Sequence, residues 1–227
     1  MDLKKSLGNL NKFERCLWGG SALAVLLSFL LAGNHDWMSL TASLIGVTSL
    51  IFIAKGDVLG QMLVVVFSVL YAIISFKFTY YGEMITYMFM TAPIAIASVI
   101  TWLRNPYSEC EVKVSHLKKR HVAVLVLITL LVTWAFYYIL AYFDTANLIP
   151  STLSVATSFL ASSLMMLRSP YYALAYGSND LVLVVLWLLA SFENTAYLTM
   201  VMCFATFFIN DMYGFINWNK MKKSQVV

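Results

Sequence analysis

The sequence predicts an all-α integral membrane protein with about eight transmembrane helices, one N-terminal helix followed by a 3+1+3 parallel repeat. Three observations predict it. Hydrophobic residues make up 61% of the 227 positions and charged residues only 11%, where ordinary globular domains carry roughly 25% charged residues. Eight apolar runs each approach the roughly 20 residues that a helix needs to cross a bilayer. Lysine and arginine cluster in every other gap between those runs.

The runs occupy 16–32, 37–54, 57–77, 80–103, 121–143, 148–167, 171–192 and 195–218. All are expected to be helical, because an unpaired backbone is too costly in lipid and no barrel-like alternation occurs. The first follows Lys12 and Arg15 and imitates a signal peptide. No clear small-x-small cleavage site comes after it, so it reads as a retained helix. With the N-terminus inside, the inner segments hold Lys4, Lys5, Lys12, Arg15 and Lys55, then Arg104, Lys113, Lys118, Lys119 and Arg120, then Arg168, Lys220, Lys222 and Lys223. The outer loops hold only Lys77, so fourteen of the fifteen basic residues lie on one side. The positive-inside rule then requires an even span count with both termini in the cytoplasm. The net charge of +4 is a topology signal and not a nucleic-acid face.

The chain divides into 1–36 (tail and additional helix), 37–104 (first three-helix repeat), 105–146 (loop and linking helix), 147–219 (second three-helix repeat) and 220–227 (basic cytoplasmic tail). The inner loop 104–120 is too short for a domain. Trp37, Trp102 and Trp218 lie near span ends, where tryptophan anchors at the membrane interface. His35, His116 and His121 sit in loops or at span ends and are expected to be solvated. Cys16, Cys110 and Cys203 have neither disulfide-framework nor zinc spacing.

The repeat is legible as a weak internal match. Gly-Gln-Met-Leu-Val-Val-Val at 60–66 aligns with Ser-Asn-Asp-Leu-Val-Leu-Val at 178–184, which sets Gln61 on Asn179. Trp102 and Trp218 pair near the ends of the fourth and eighth runs. A single crossing helix between two three-helix units makes the units parallel, a transporter design with a site between them.

Polar groups at mid-depth are costly in lipid and usually functional. The seventh run carries Asn179-Asp180 and the eighth Asn210-Asp211, then Tyr213. At about 1.5 Å per residue, Asn210 lies roughly 15 Å from Lys220, near the bilayer midplane, and Asn179 is as far from Arg168. One reading is that the amides bond helices together. The other is a substrate site, since two buried carboxylates with no buried lysine or arginine want a cation, protons or water. Trp187, two turns from Asp180, and Tyr213 add aromatic surface for a flat, polar, positively charged ring. The candidate substrate-binding set is Asn179, Asp180, Trp187, Asn210, Asp211 and Tyr213, with Gln61 and Tyr87 from the first half. Thr86, Thr91, Pro93 and Pro150 are either plain kinks or gating points. No phosphate loop, metal spacing or nucleophile elbow occurs, so no cofactor, no metal and no enzymatic activity are expected.

Ala54-Lys-Gly-Asp-Val-Leu-Gly-Gln61, Tyr81-Gly-Glu83 and Asn210-Asp-Met-Tyr-Gly-Phe-Ile-Asn-Trp218 resemble the PnuC family of vitamin transporters over residues 37–220. The resemblance implies a SWEET-like fold in the inner membrane and facilitated uptake of nicotinamide riboside, a precursor of NAD. A cytoplasmic kinase would then trap the substrate by phosphorylation. It implies that Asn210 and Tyr213 contact substrate, with Asp180 and Trp187 across from them. Branches of similar sequence carry thiamine, riboflavin or deoxynucleosides. The chain departs from many nicotinamide riboside members at Met88-Phe-Met-Thr-Ala-Pro93, where they have Phe-Tyr-x-Pro. Proton coupling, a non-transporting scaffold role and association with further copies of the chain are left open at this point.

Overall fold

The structure, a computed structural model, describes residues 3–32 and 36–225. His35 lies outside the described residues. Among the described residues a short helix, Leu3–Gly8, precedes eight helices long and apolar enough to cross a membrane: Lys12–Leu31, Trp37–Ala54, Val58–Lys77, Tyr81–Leu103, Lys119–Tyr142, Leu148–Met166, Tyr172–Ser191 and Thr195–Ser224. These are spans 1 to 8. The protein is a multi-pass membrane protein.

Local chemistry sets the helix starts. Span 1 begins four residues before its apolar run because Asn11 and Glu14 form a reciprocal capping box. Asp36 and Asp57 cap spans 2 and 3 by accepting from the Met38 and Leu59 amides. Span 8 runs to Ser224, so Lys220, Lys222 and Lys223 lie on its last turns and not in a free tail. Pro150 falls in the first turn of span 6, where a missing N–H costs little. Span 4 is interrupted: Tyr87–Thr91 form a π-helical turn just ahead of Pro93.

Spans 2, 3 and 4 pack in sequence, as do spans 6, 7 and 8. The two units meet where span 8 packs on span 2 and span 4 packs on span 6. Exchanging spans 2, 3 and 4 with 6, 7 and 8 turns each of these contacts into another of them. Span 1 lies against spans 2 and 8. Span 5 lies against span 6 and, through Phe136 and Leu140 beside Met90, against span 4. Most of its surface is exposed, including Trp134, Leu130 and Tyr138, as befits a lipid-facing helix.

Two tryptophans depart from the interface role expected of them. Trp102 and Trp218 are 1% and 0% exposed. The indole of Trp102 donates to the Met165 carbonyl at 3.2 Å. That of Trp218 donates to the Ile53 carbonyl at 2.8 Å. Each residue of span 4 or 8 thus holds the end of the partner unit's first helix, span 6 or 2. Their rings lie 5.4 Å apart. Trp37 remains exposed, consistent with an anchor.

The segment between spans 4 and 5 closes the end of the bundle that carries both termini. It forms a small hairpin, Pro106–Ser108 with Glu111–Val112. The Val112 amide donates to the Gly56 carbonyl at 2.9 Å, and the Ser115 amide to the Arg168 carbonyl at 2.9 Å. Gln225 joins in, accepting from the Val114 amide at 2.7 Å. Gly56 has φ +71°, and a Cβ there would meet Met221 at 2.7 Å, so the turn needs glycine. His116 and His121 are exposed.

Candidate functional site

Between the two three-helix units lies a cavity lined by Ser49, Leu50 and Ile53 of span 2, Gln61, Val64 and Phe67 of span 3, and Tyr87 and Thr91 of span 4. The second unit supplies Met165, Tyr176, Asp180, Phe207 and Asp211. The cavity measures about 40 Å³, room for a few water molecules. A nucleoside-sized solute needs the walls to move.

Asp180 of span 7 and Asp211 of span 8 both line the cavity, close enough for each carboxyl to sense the other. They are 2% and 3% exposed. No lysine or arginine lines the cavity, and the ion pairs among the described residues, Lys5–Glu109 and Lys55–Glu14, lie elsewhere. Oδ2 of Asp180 has no hydrogen-bond partner, nor has Nε2 of Gln61 or Oγ1 of Thr91. Buried polar groups are costly without partners, so this lining is suited to a polar guest. Two buried carboxyls side by side want a positive charge or a proton between them.

The walls are aromatic. Phe67 stacks on Tyr71 at 5.5 Å and touches Phe207 at 5.3 Å. Tyr71 meets Tyr87 edge-on at 4.3 Å. Tyr176 is held by Ser162 at 2.9 Å. Gly46 of span 2 backs this wall: a Cβ there would lie 2.3 Å from Phe207 and 3.0 Å from Phe67. The π turn gives span 4 an extra residue per turn, and Tyr87 and Thr91, four apart, both reach the cavity. Toward the termini, Ile53 and Met165 floor the cavity, and the Trp102–Trp218 pair bonded to their carbonyls lies just beyond. Toward the opposite face, Tyr71 and Trp187 cover it, both fully buried.

Four residues of the expected site therefore come together around the cavity: Gln61, Tyr87, Asp180 and Asp211. The other four do not line it. Asn179 turns to span 6, where its Oδ1 accepts from Ser154, Thr157 and Ser158 at 3.3, 2.8 and 3.0 Å. Asn210 turns to span 1, donating to Ser21 Oγ at 2.9 Å and to its own helix at Thr206. Tyr213 shares that face and donates to Glu14 at 2.6 Å. Trp187 sits beyond the cavity, donating to the Tyr71 hydroxyl at 2.7 Å. Asn210 and Tyr213, expected to touch substrate, are here engaged in holding span 1. Phe67, Tyr176, Phe207 and Met165 line the cavity without having stood out in the sequence. One of fifteen phenylalanines or thirteen tyrosines carries no signal of its own.

Comparison with known proteins agrees with this architecture. A family profile described as nicotinamide mononucleotide transporter matches residues 36–220. A protein named nicotinamide riboside transporter PnuC from Neisseria mucosa is 24% identical over 226 residues, covering 97% of this chain and 86% of that protein. One of the same name from Haemophilus influenzae is 20% identical over 191 residues, covering 83% and 81%. The fold matches the crystal structure of the vitamin B3 transporter PnuC with a TM-score of 0.87 at 23% identity, across 99% of this chain and 100% of that one.

Proposed function

Because the chain belongs to the nicotinamide mononucleotide transporter family, we propose that it is a facilitator for nicotinamide riboside, binding the vitamin between its two three-helix units. The observation that carries the choice of substrate is the cavity lining: two carboxyls, an amide and aromatic rings, with no lysine or arginine. Nicotinamide riboside carries a pyridinium charge and no phosphate. Carboxylates attract the ring charge, and aromatic faces stack on it. A mononucleotide brings a phosphate that arginine or lysine normally meets, and the lining offers neither. The two relatives named above bear the riboside in their names.

In this reading the end that carries the termini faces the cytoplasm, as the clustered basic residues suggest. The solute enters at the opposite face, and rocking of the two units parts the Trp102–Trp218 contact. No residue performs chemistry on the substrate. A cytoplasmic kinase that phosphorylates the riboside would make uptake one-way by removing the form that fits the site. Thiamine is the second reading, since it too is a flat aromatic cation.

Thermal-shift titration of the purified protein tests the proposal. Nicotinamide riboside is expected to stabilise it, and nicotinamide mononucleotide to do so at least about tenfold less tightly, one phosphate left without a cation. Equal response to the mononucleotide, or a response to thiamine alone, overturns the substrate assignment.

A further inference from the structure

Three buried acids among the described residues lie outside the cavity: Glu14 is paired with Lys55 and Tyr213 and Asp57 caps span 3, which leaves Glu83. Glu83 sits in the first turn of span 4, near the face opposite the termini, and is 0% exposed. Neither of its carboxyl oxygens has a hydrogen-bond partner, and neither ion pair among the described residues involves it. The Ser154 hydroxyl of span 6 lies beside it and also reaches Asn179 Oδ1 at 3.3 Å. Thr86 Oγ1 and Thr145 Oγ1, beside it on span 4 and after span 5, are also buried and unpartnered. A carboxyl kept this deep among orphaned hydroxyls is costly to the fold unless it serves a ligand.

Its surroundings indicate which ligand. The hydroxyls of Tyr71 and Tyr87 lie within electrostatic range of it, and the two rings meet each other at 4.3 Å. Tyr87 lies one turn deeper on the same helix face and lines the cavity. At about 1.5 Å per residue, Glu83 lies roughly 6 Å above Tyr87 along span 4. A solute moving from the opposite face to the cavity along span 4 passes the carboxyl before it reaches Asp180 and Asp211.

We propose that Glu83, with Tyr71 and Tyr87, forms a second station for an aromatic cation between the face opposite the termini and the cavity. The inference rests on transport of a cationic nucleoside. Its role is to attract the ring charge during entry, with the tyrosine rings as the stacking surface. It thereby selects a charged ring over an uncharged one of the same shape.

The experiment compares wild type with Glu83→Gln in liposomes, using nicotinamide riboside and its uncharged dihydro form. In parallel, the thermal shift is read with 1-methylnicotinamide and with neutral nicotinamide. The substitution is expected to cut initial uptake of the cation by roughly tenfold, to leave the uncharged form within about twofold, and to weaken 1-methylnicotinamide but not nicotinamide. Glu83→Asp should retain part of the preference. An equal fall for both forms, as from a damaged helix contact, overturns the proposal, and so does no fall for either. Should wild type pass neither riboside, the transport reading fails, while loss of the 1-methylnicotinamide response in Glu83→Gln still supports the station and its persistence refutes it.

Discussion

Consecutive residues on an α-helix point about 100° apart, and this decides which member of each Asn-Asp pair meets the cavity. Asn179 and Asp180 share a depth but not a face, and neither do Asn210 and Asp211. The aspartates turn inward, and the amides bond spans 6 and 1. Asp211→Asn keeps the shape and removes a charge, so calorimetry should show affinity for nicotinamide riboside reduced by about tenfold or more with the protein still folded. Asn210→Ala acts on another quantity. It deletes the bond to Ser21, and a chemical or thermal unfolding measurement should show a loss of about 1–3 kcal/mol, with affinity within about threefold of wild type. A lost affinity at unchanged stability would return Asn210 to the binding site. The depth of these residues was legible from their distance to the basic clusters. Their rotation was not, because spans that are apolar on nearly every side carry little sign of which side faces inward.

Span 4 shows the same limit one level up. Thr86, Thr91 and Pro93 marked it as irregular in the sequence, but nothing there distinguished a kink from a π turn. The turn matters because it resets the helix register between Glu83 and Pro93. Deleting Met88 should restore continuous α-helix with the faces on either side kept, because the π turn holds one extra residue, and it leaves Tyr87 and Thr91 three residues apart, about 60° out of line on the cavity wall. Uptake into liposomes is expected to vanish while the protein still inserts and elutes as wild type; retained uptake would show that the π turn is dispensable. The tryptophans illustrate a related point. Both stood near span ends, where an anchor and a helix lock look alike in sequence. Only burial and the carbonyls of Ile53 and Met165 separate them. Trp218→Phe removes one indole N–H, leaves the Ile53 carbonyl without it, and should lower the thermal midpoint by a few degrees.

At the scale of the whole molecule, span number and span placement followed closely from apolar length and basic clusters, since lipid leaves the backbone few alternatives. The hairpin at 106–112 and its ties to Gly56, Arg168 and Gln225 did not follow, because they depend on which loops meet. The contacts among spans 2, 3, 4, 6, 7 and 8 exchange onto themselves when the two units are swapped, and the cavity lies between the units. Such an arrangement suits two bodies that rock about a shared site, with the same wall residues facing each side in turn. Counterflow in liposomes tests this most directly. Vesicles preloaded with unlabelled nicotinamide riboside should accumulate external label transiently, an uncoupler should leave the overshoot unchanged, and Asp180→Asn or Asp211→Asn should suppress it. No overshoot with wild-type protein, or one that collapses with the uncoupler, would contradict a passive carrier that alternates around the carboxyl pair.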